Sequence, residues 1–387
     1  MPFLHGKTPV PEWRVTWILR VVLLALLSGI LLSWPLWQYD RLFPLLPAAA
    51  ISFPSAALSI YYVYAVLLSF LVVLVRPRTW LLRLGLLLFL VLLLQDQNRW
   101  QPWVYIYVLC LLPFSIAADT RFRLAYIRLL LVAIYCWSGI HKLNEAFTQT
   151  VFRSILSEFL HLDAGWTERL LPWGYGIGVI EIGMALLLCF PRSRLSGVWL
   201  VLASHVFLLL YLGPWGIGHN TVVWPWNVAM VLLVFLAFYR TREPLSLRHA
   251  AGNADLRLYA LAVLAGLMPA LLFSGRWDHY LSFALYSGKQ EQYYIAVAED
   301  QVNKLPKAYH AHFMAMNNMQ GGKVISVNNW SYQELNVPFY PQRRLFDRVA
   351  ATFCRYGIPD SLLYFVVMKR AEGKETYNTF TCRDLQD

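Results

Sequence analysis

Apolar runs long enough to cross a lipid bilayer recur along the first 273 residues, separated by short arginine-bearing links. A helix rises 1.5 Å per residue, so about 20 apolar residues span a hydrocarbon core of about 30 Å. The runs lie at 14–36, 57–75, 80–94, 101–118, 124–141, 174–190, 195–212, 221–239 and 256–273. Only 14% of the residues are charged, against about 25% in soluble domains, and mean hydropathy is +0.47. Such a chain needs lipid as solvent. The expected fold is an all-α polytopic membrane bundle of about nine transmembrane helices over residues 1–273, followed by a small C-terminal α+β extracytoplasmic domain over residues 274–387. The first run starts near Trp13 and no Ala-x-Ala site follows it, which predicts a retained helix rather than a removed signal peptide.

The net charge of +11 does not point to nucleic acid. Residues 274–387 carry 13 basic and 11 acidic residues, so the excess lies in the membrane part, where it occupies short loops. Arg76, Arg78 and Arg83 flank one link, and Arg121, Arg123 and Arg128 the next but one. Arg192 with Arg194, and Arg240 with Arg242 and Arg248, continue the alternation. Basic loops stay in the cytoplasm, so the N-terminus, with Lys7 and Arg14, is expected there. The loop 142–173 and the C-terminal domain are then extracytoplasmic, in a bacterial inner membrane. Trp100, Trp103, Trp166, Trp173, Trp215, Trp224 and Trp226 fall at the outer ends of the runs and read as an interfacial aromatic belt.

In the tail, Tyr293–Val297, Lys323–Val327 and Ser361–Met368 have strand composition, and 343–356 places Leu345, Phe346, Val349, Ala350 and Phe353 on one helical face. Cys354 and Cys382 are a disulfide candidate in an oxidising compartment. His310 and His312 lack a further ligand cluster, and no metal is predicted.

Lys142 is the only lysine between Lys7 and Lys289 and ends the fifth run. A lysine at membrane depth is costly and marks function, and burial makes its amine a general base; a lysine snorkelling to the interface is the plainer alternative. Tyr135 and Ser138 lie seven and four residues before it, on the same face. Glu181 is the only acid in the sixth run and a candidate partner for Lys142, or a hydrogen-bonded structural glutamate. His205 lies inside the seventh run, as proton relay or as interhelical glue. His219 and Asn220 follow a glycine-rich turn, and Gly174-x-x-x-Gly178 favours close helix packing.

Ser138-Gly139-Ile140-His141-Lys142-Leu143 resembles the small-Gly-aliphatic-x-Lys-Leu segment of the HTTM membrane family, which includes the vitamin K-dependent gamma-carboxylases; it is also similar to DoxX-type membrane subunits. The resemblance implies Lys142, Glu181 and His205 as catalytic residues. It implies Tyr135, Ser138, His141, His219 and Asn220 around a quinol or hydroquinone of vitamin K type. His141 departs from the second lysine of the carboxylases, and the short tail argues against propeptide-directed protein carboxylation. The expected function is a quinol-dependent membrane enzyme. The alternatives are a non-catalytic maturation or assembly factor for a secreted peptide or membrane complex, and a quinone-linked electron-transfer subunit. Expected partners are membrane lipid, quinone and a secreted peptide or protein substrate.

Overall fold

The computed structural model describes residues 11–49, 53, 55–218, 220–241, 243, 245, 256–315, 322–371 and 374–385. Lys7, His219, Arg242 and Arg248 lie outside the described residues. The membrane part consists of α1 (Glu12–Leu32), α2 (Ala56–Val75), α3 (Thr79–Gln95), α4 (Pro102–Ser115), α5 (Thr120–Lys142), α6 (Tyr175–Cys189), α7 (Arg194–Leu212), α8 (Val223–Phe238) and α9 (Leu256–Leu261, continued by irregular turns to Ser274). Among the described residues, six helical segments are long and apolar enough to cross a membrane: Glu12–Leu32, Ala56–Val75, Thr120–Lys142, Ala164–Cys189, Arg194–Leu212 and Leu256–Ser274. The chain is thus a mostly helical, multi-pass membrane protein. The helices α3, α4 and α8 are apolar but shorter.

Several expectations change. The segment 142–173 is largely helical rather than a loop, and the sixth span begins at Ala164, where Asp163 accepts a hydrogen bond from the Trp166 amide. The link between α3 and α4 is a buried polar knot. Asp96 pairs with Arg41, and Arg99 donates to the carbonyls of Leu36 at 3.0 Å and Leu92 at 2.9 Å. Arg128 and Arg194 are buried rather than loop residues. Arg128 donates to the Ala237 carbonyl at 2.7 Å and Arg194 to the Glu243 carbonyl at 2.9 Å. Arg128 thereby satisfies a carbonyl in the last turn of α8, and Arg194 also reaches the Leu188 carbonyl in the last turn of α6 at 3.0 Å. Trp103 and Trp226 are buried and do not belong to an exposed belt, whereas Trp166, Trp173 and Trp215 are exposed.

These arginines gather the start of α5 and α7 and the end of α8 at one end of the bundle. Arg14 of α1 joins them by donating to the Tyr239 carbonyl at 2.9 Å. The C-terminal domain covers the opposite end. It comprises β1 (Gln292–Ala298), β2 (Phe313–Ala315), β3 (Gly322–Ser326), α10 (Val327–Leu335), α11 (Arg343–Cys354), β4 (Leu363–Ala371) and β5 (Lys374–Phe380). The sheet is antiparallel in the order β2-β3-β1-β4-β5, with Ile295 opposite Ile325 and Phe365. Strand β3 stops at Ser326, one residue before the expected end, because Ser326 Oγ caps α10. Helix α11 buries Leu345, Phe346, Val349, Ala350 and Phe353 against the sheet, and Cys354 is disulfide-bonded to Cys382.

Docking of the domain is specific. Phe43 packs on Trp330 with ring centroids 4.6 Å apart. Asn98 Oδ1 accepts from the Tyr340 amide at 2.7 Å, and Gln101 donates to the Pro338 carbonyl at 2.9 Å. Asn336 donates to the Leu32 carbonyl at 2.9 Å and to Thr221 Oγ1 at 2.7 Å.

Candidate functional site

Two glycines bring α5 and α6 together. A Cβ on Gly139 would lie 2.6 Å from the Gly178 carbonyl oxygen, and one on Gly178 would lie 2.7 Å from the Gly139 oxygen. Only glycine tolerates this approach, as in other tightly packed membrane helices. It sets the last turn of α5 beside the first turns of α6. Lys142 Nζ donates to Glu181 Oε2 at 2.8 Å and to Ser138 Oγ at 2.7 Å. The side chains are 7% and 17% exposed, so the pair is largely shielded. An isolated charge at this depth is costly, and pairing offsets that cost.

A second polar chain lies beside the pair. Tyr135 hydroxyl and His205 Nε2 are 2.8 Å apart, and His205 Nδ1 is 2.7 Å from Asn227 Oδ1. Asn227 donates in turn to the Val223 carbonyl at 2.7 Å, which fixes its oxygen toward His205. An amide oxygen only accepts, so Nδ1 carries the proton and Nε2 accepts from the Tyr135 hydroxyl.

All six residues line one cavity of about 410 Å³ between α5, α6, α7, α8 and the helical turn at 147–155. The remaining wall is largely apolar, including Ile134, Ile177, Met184, Phe207 and Trp226. Gly197 packs against Leu187 near the arginine-bearing end of α6 and α7. Toward the other end the cavity reaches Ile180 and Ala203, both exposed on the outer face of these helices. A volume in the usual range for small-ligand sites, an apolar wall and convergent polar groups suit a small amphipathic molecule arriving from the lipid.

The structure therefore brings together Lys142, Glu181, His205, Tyr135 and Ser138. Sequence reasoning missed Asn227, although it is the only amide in the apolar run of α8. Tyr286, which closes the domain side, was also missed. His141 does not join the group. One residue turns a helix by about 100°, so His141 faces away from Lys142. Its ring lies between Trp137 and Phe273 and lines a second cavity of about 650 Å³ under the C-terminal domain. Asn220 sits above the first cavity, its amide 3.5 Å from the Tyr286 hydroxyl, and His219 lies outside the described residues. His310 and His312 are occupied by the Val302 carbonyl at 3.1 Å and Gln333 Oε1 at 2.7 Å.

No curated protein and no solved structure matches the chain. One family model does match, and it is neither HTTM nor DoxX, so the resemblance drawn from Ser138–Leu143 is corrected. That motif is short, and its glycine and lysine are what close helix contact and a cavity-facing amine require. Over residues 120–217, about a quarter of its length and most of the cavity's polar floor, the chain is similar to methylamine utilisation protein MauE.

Proposed function

We propose that the first cavity binds a lipid-soluble, hydroxylated ring of the quinol type and moves its protons. The observation that carries this reading is the convergence of Lys142–Glu181 and Tyr135–His205–Asn227 on one otherwise apolar cavity. The Lys142–Glu181 pair is neutral overall, which favours its placement in the bilayer. Transfer of the Lys142 proton across 2.8 Å to Glu181 leaves a neutral amine able to take a phenolic proton. The Tyr135 hydroxyl offers a second hydrogen-bonding group for the far side of the ring.

In this reading α3, α4 and α8 also cross the membrane, giving nine spans. The arginine-bearing end is cytoplasmic and the C-terminal domain extracytoplasmic, at a bacterial inner membrane. The clustering of Arg14, Arg128 and Arg194 at one end supports that orientation, as does the Cys354–Cys382 disulfide in the domain at the other.

The test is oxidation of menaquinol by dioxygen in nanodiscs, each quinol giving up two electrons and two protons to the oxygen. Lys142→Ala is expected to lower the rate about 10²–10⁴-fold while the protein stays folded. A folded Lys142→Ala protein that oxidises menaquinol at the wild-type rate overturns the reading. A second reading is a maturation or assembly factor for a secreted protein or peptide. It is favoured by the similarity to a utilisation protein across 120–217 and by the C-terminal domain, whose Leu285 and Tyr286 line the cavity. A stably retained partner protein, with no quinone retained, distinguishes it.

A further inference from the structure

The second cavity has a different chemistry from the first. It lies between the last turn of α5, the end of α9 and the β1–β4 side of the C-terminal domain. Four polar atoms among its lining residues are buried without a hydrogen-bond partner: His141 Nε2, Trp277 Nε1, His279 Nδ1 and Ser287 Oγ. His141 and Ser287 are only 4% and 1% exposed. Buried polar atoms are nearly always paired, so four on one cavity mark a place where a ligand completes the set. The Trp277 indole only donates, and the Ser287 hydroxyl and the His279 imidazole can do so too, so the ligand atoms that meet these three are acceptors.

Charge points the same way. Lys289, Arg343, Lys369 and Arg370 line the cavity, against Glu145 and Glu291. Arg343 pairs with Asp347 at 2.5 Å, Lys369 with Glu291 at 2.6 Å, and Arg370 with Glu375. Lys289 makes no ion pair among the described residues. One free ammonium beside three unpaired donors is the recognition chemistry of an oxyanion. The rim includes Phe273, 61% exposed at the end of α9, which sets the cavity where lipid headgroups meet water.

We propose that this cavity binds a phosphate oxyanion, presented either by a lipid headgroup or as free phosphate. Lys289 supplies the charge, and Trp277, His279 and Ser287 direct hydrogen bonds at the oxygens. The proposal goes beyond the quinol reading and does not rest on it. The two cavities share a wall one residue thick: Lys142, Phe147 and Tyr286 face the first, and their chain neighbours His141, Ala146 and Ser287 the second. Asn144 holds that wall, donating to the His141 carbonyl at 2.6 Å and the Ser287 carbonyl at 3.0 Å.

The experiment is calorimetric titration of the full chain in phosphate-free maltoside detergent, once with inorganic phosphate and once with short-chain phosphatidylglycerol. Saturable binding of one molecule per chain is expected in at least one arm. Lys289→Gln, at an exposed position, and Trp277→Phe should each weaken it at least about tenfold. Lys323→Gln, at an ion pair with Glu299 on strand β3, should leave it unchanged. Binding of the lipid, displaced by phosphate, assigns the site to a headgroup; binding of phosphate alone assigns it to the free ion. Absence of saturable binding in both arms, or binding that Lys289→Gln and Trp277→Phe both leave intact, overturns the proposal.

Discussion

Gly139 and Gly178 meet backbone to backbone, each lying where a side chain of the other would have to be. The Lys142–Glu181 pair depends on this contact. Gly139→Ala is expected to push α5 from α6, lengthen the ion pair and cost about 1–3 kcal/mol of stability. Thermal unfolding in detergent measures the loss. Gly176→Ala, with open space around its Cβ, is the control and should change little.

Removing one partner of the shielded pair should cost more than removing both. Lys142→Met leaves Glu181 charged and alone, and Glu181→Gln does the same to Lys142, each at roughly 2–4 kcal/mol. The double variant should recover part of that loss. A double-mutant cycle by chemical unfolding reads the coupling, and strictly additive losses would show that the two side chains do not interact.

Reduction of the Cys354–Cys382 bond, 28 residues apart in sequence, should destabilise the C-terminal domain by about 3 kcal/mol through the freedom gained by the unfolded loop. Limited proteolysis with and without reductant should show new cleavage near α11. Cys354→Ser should behave like the reduced protein in either condition.

Burial holds the His279 imidazole below its ordinary value, against the opposing pull of Glu291 and Asp278 and with added repulsion from Lys289. A depressed value means that the folded state resists protonation. The stability this confers is complete above the ordinary imidazole value of about 6.5, and is lost as pH falls from there through the folded value. His279→Gln should flatten the fall in unfolding temperature between pH 7 and pH 5. An oxyanion in the second cavity should also flatten it, by making protonated His279 favourable.

Much of the membrane part was legible because its signals are local. Apolar runs mark helices, and the three- and four-residue spacing puts Tyr135, Ser138 and Lys142 on one face, where they lie. The α11 face was legible for the same reason. His141 was misplaced because the motif grouped it with Lys142, whereas helical geometry separates neighbours by about 100°. Asp96 and Arg99 fall between the runs 80–94 and 101–118, and nothing local announces that Arg41, 55 residues from Asp96, closes the knot. Asn227 carried a signal that went unused. The second cavity carried none, because its lining comes from α5, α9, β1 and β4 and exists only once the domain is docked.

That docking has a consequence for the order of synthesis. Asn98 receives the Tyr340 amide across 242 residues of chain, and the ring that covers Phe43 belongs to Trp330. Translation delivers the early helices to the membrane long before these partners exist. Until then, the polar knot between α3 and α4 has one face uncovered and the second cavity has no roof. Completion of the helical end is therefore a late, post-insertion event that waits on the C-terminal domain.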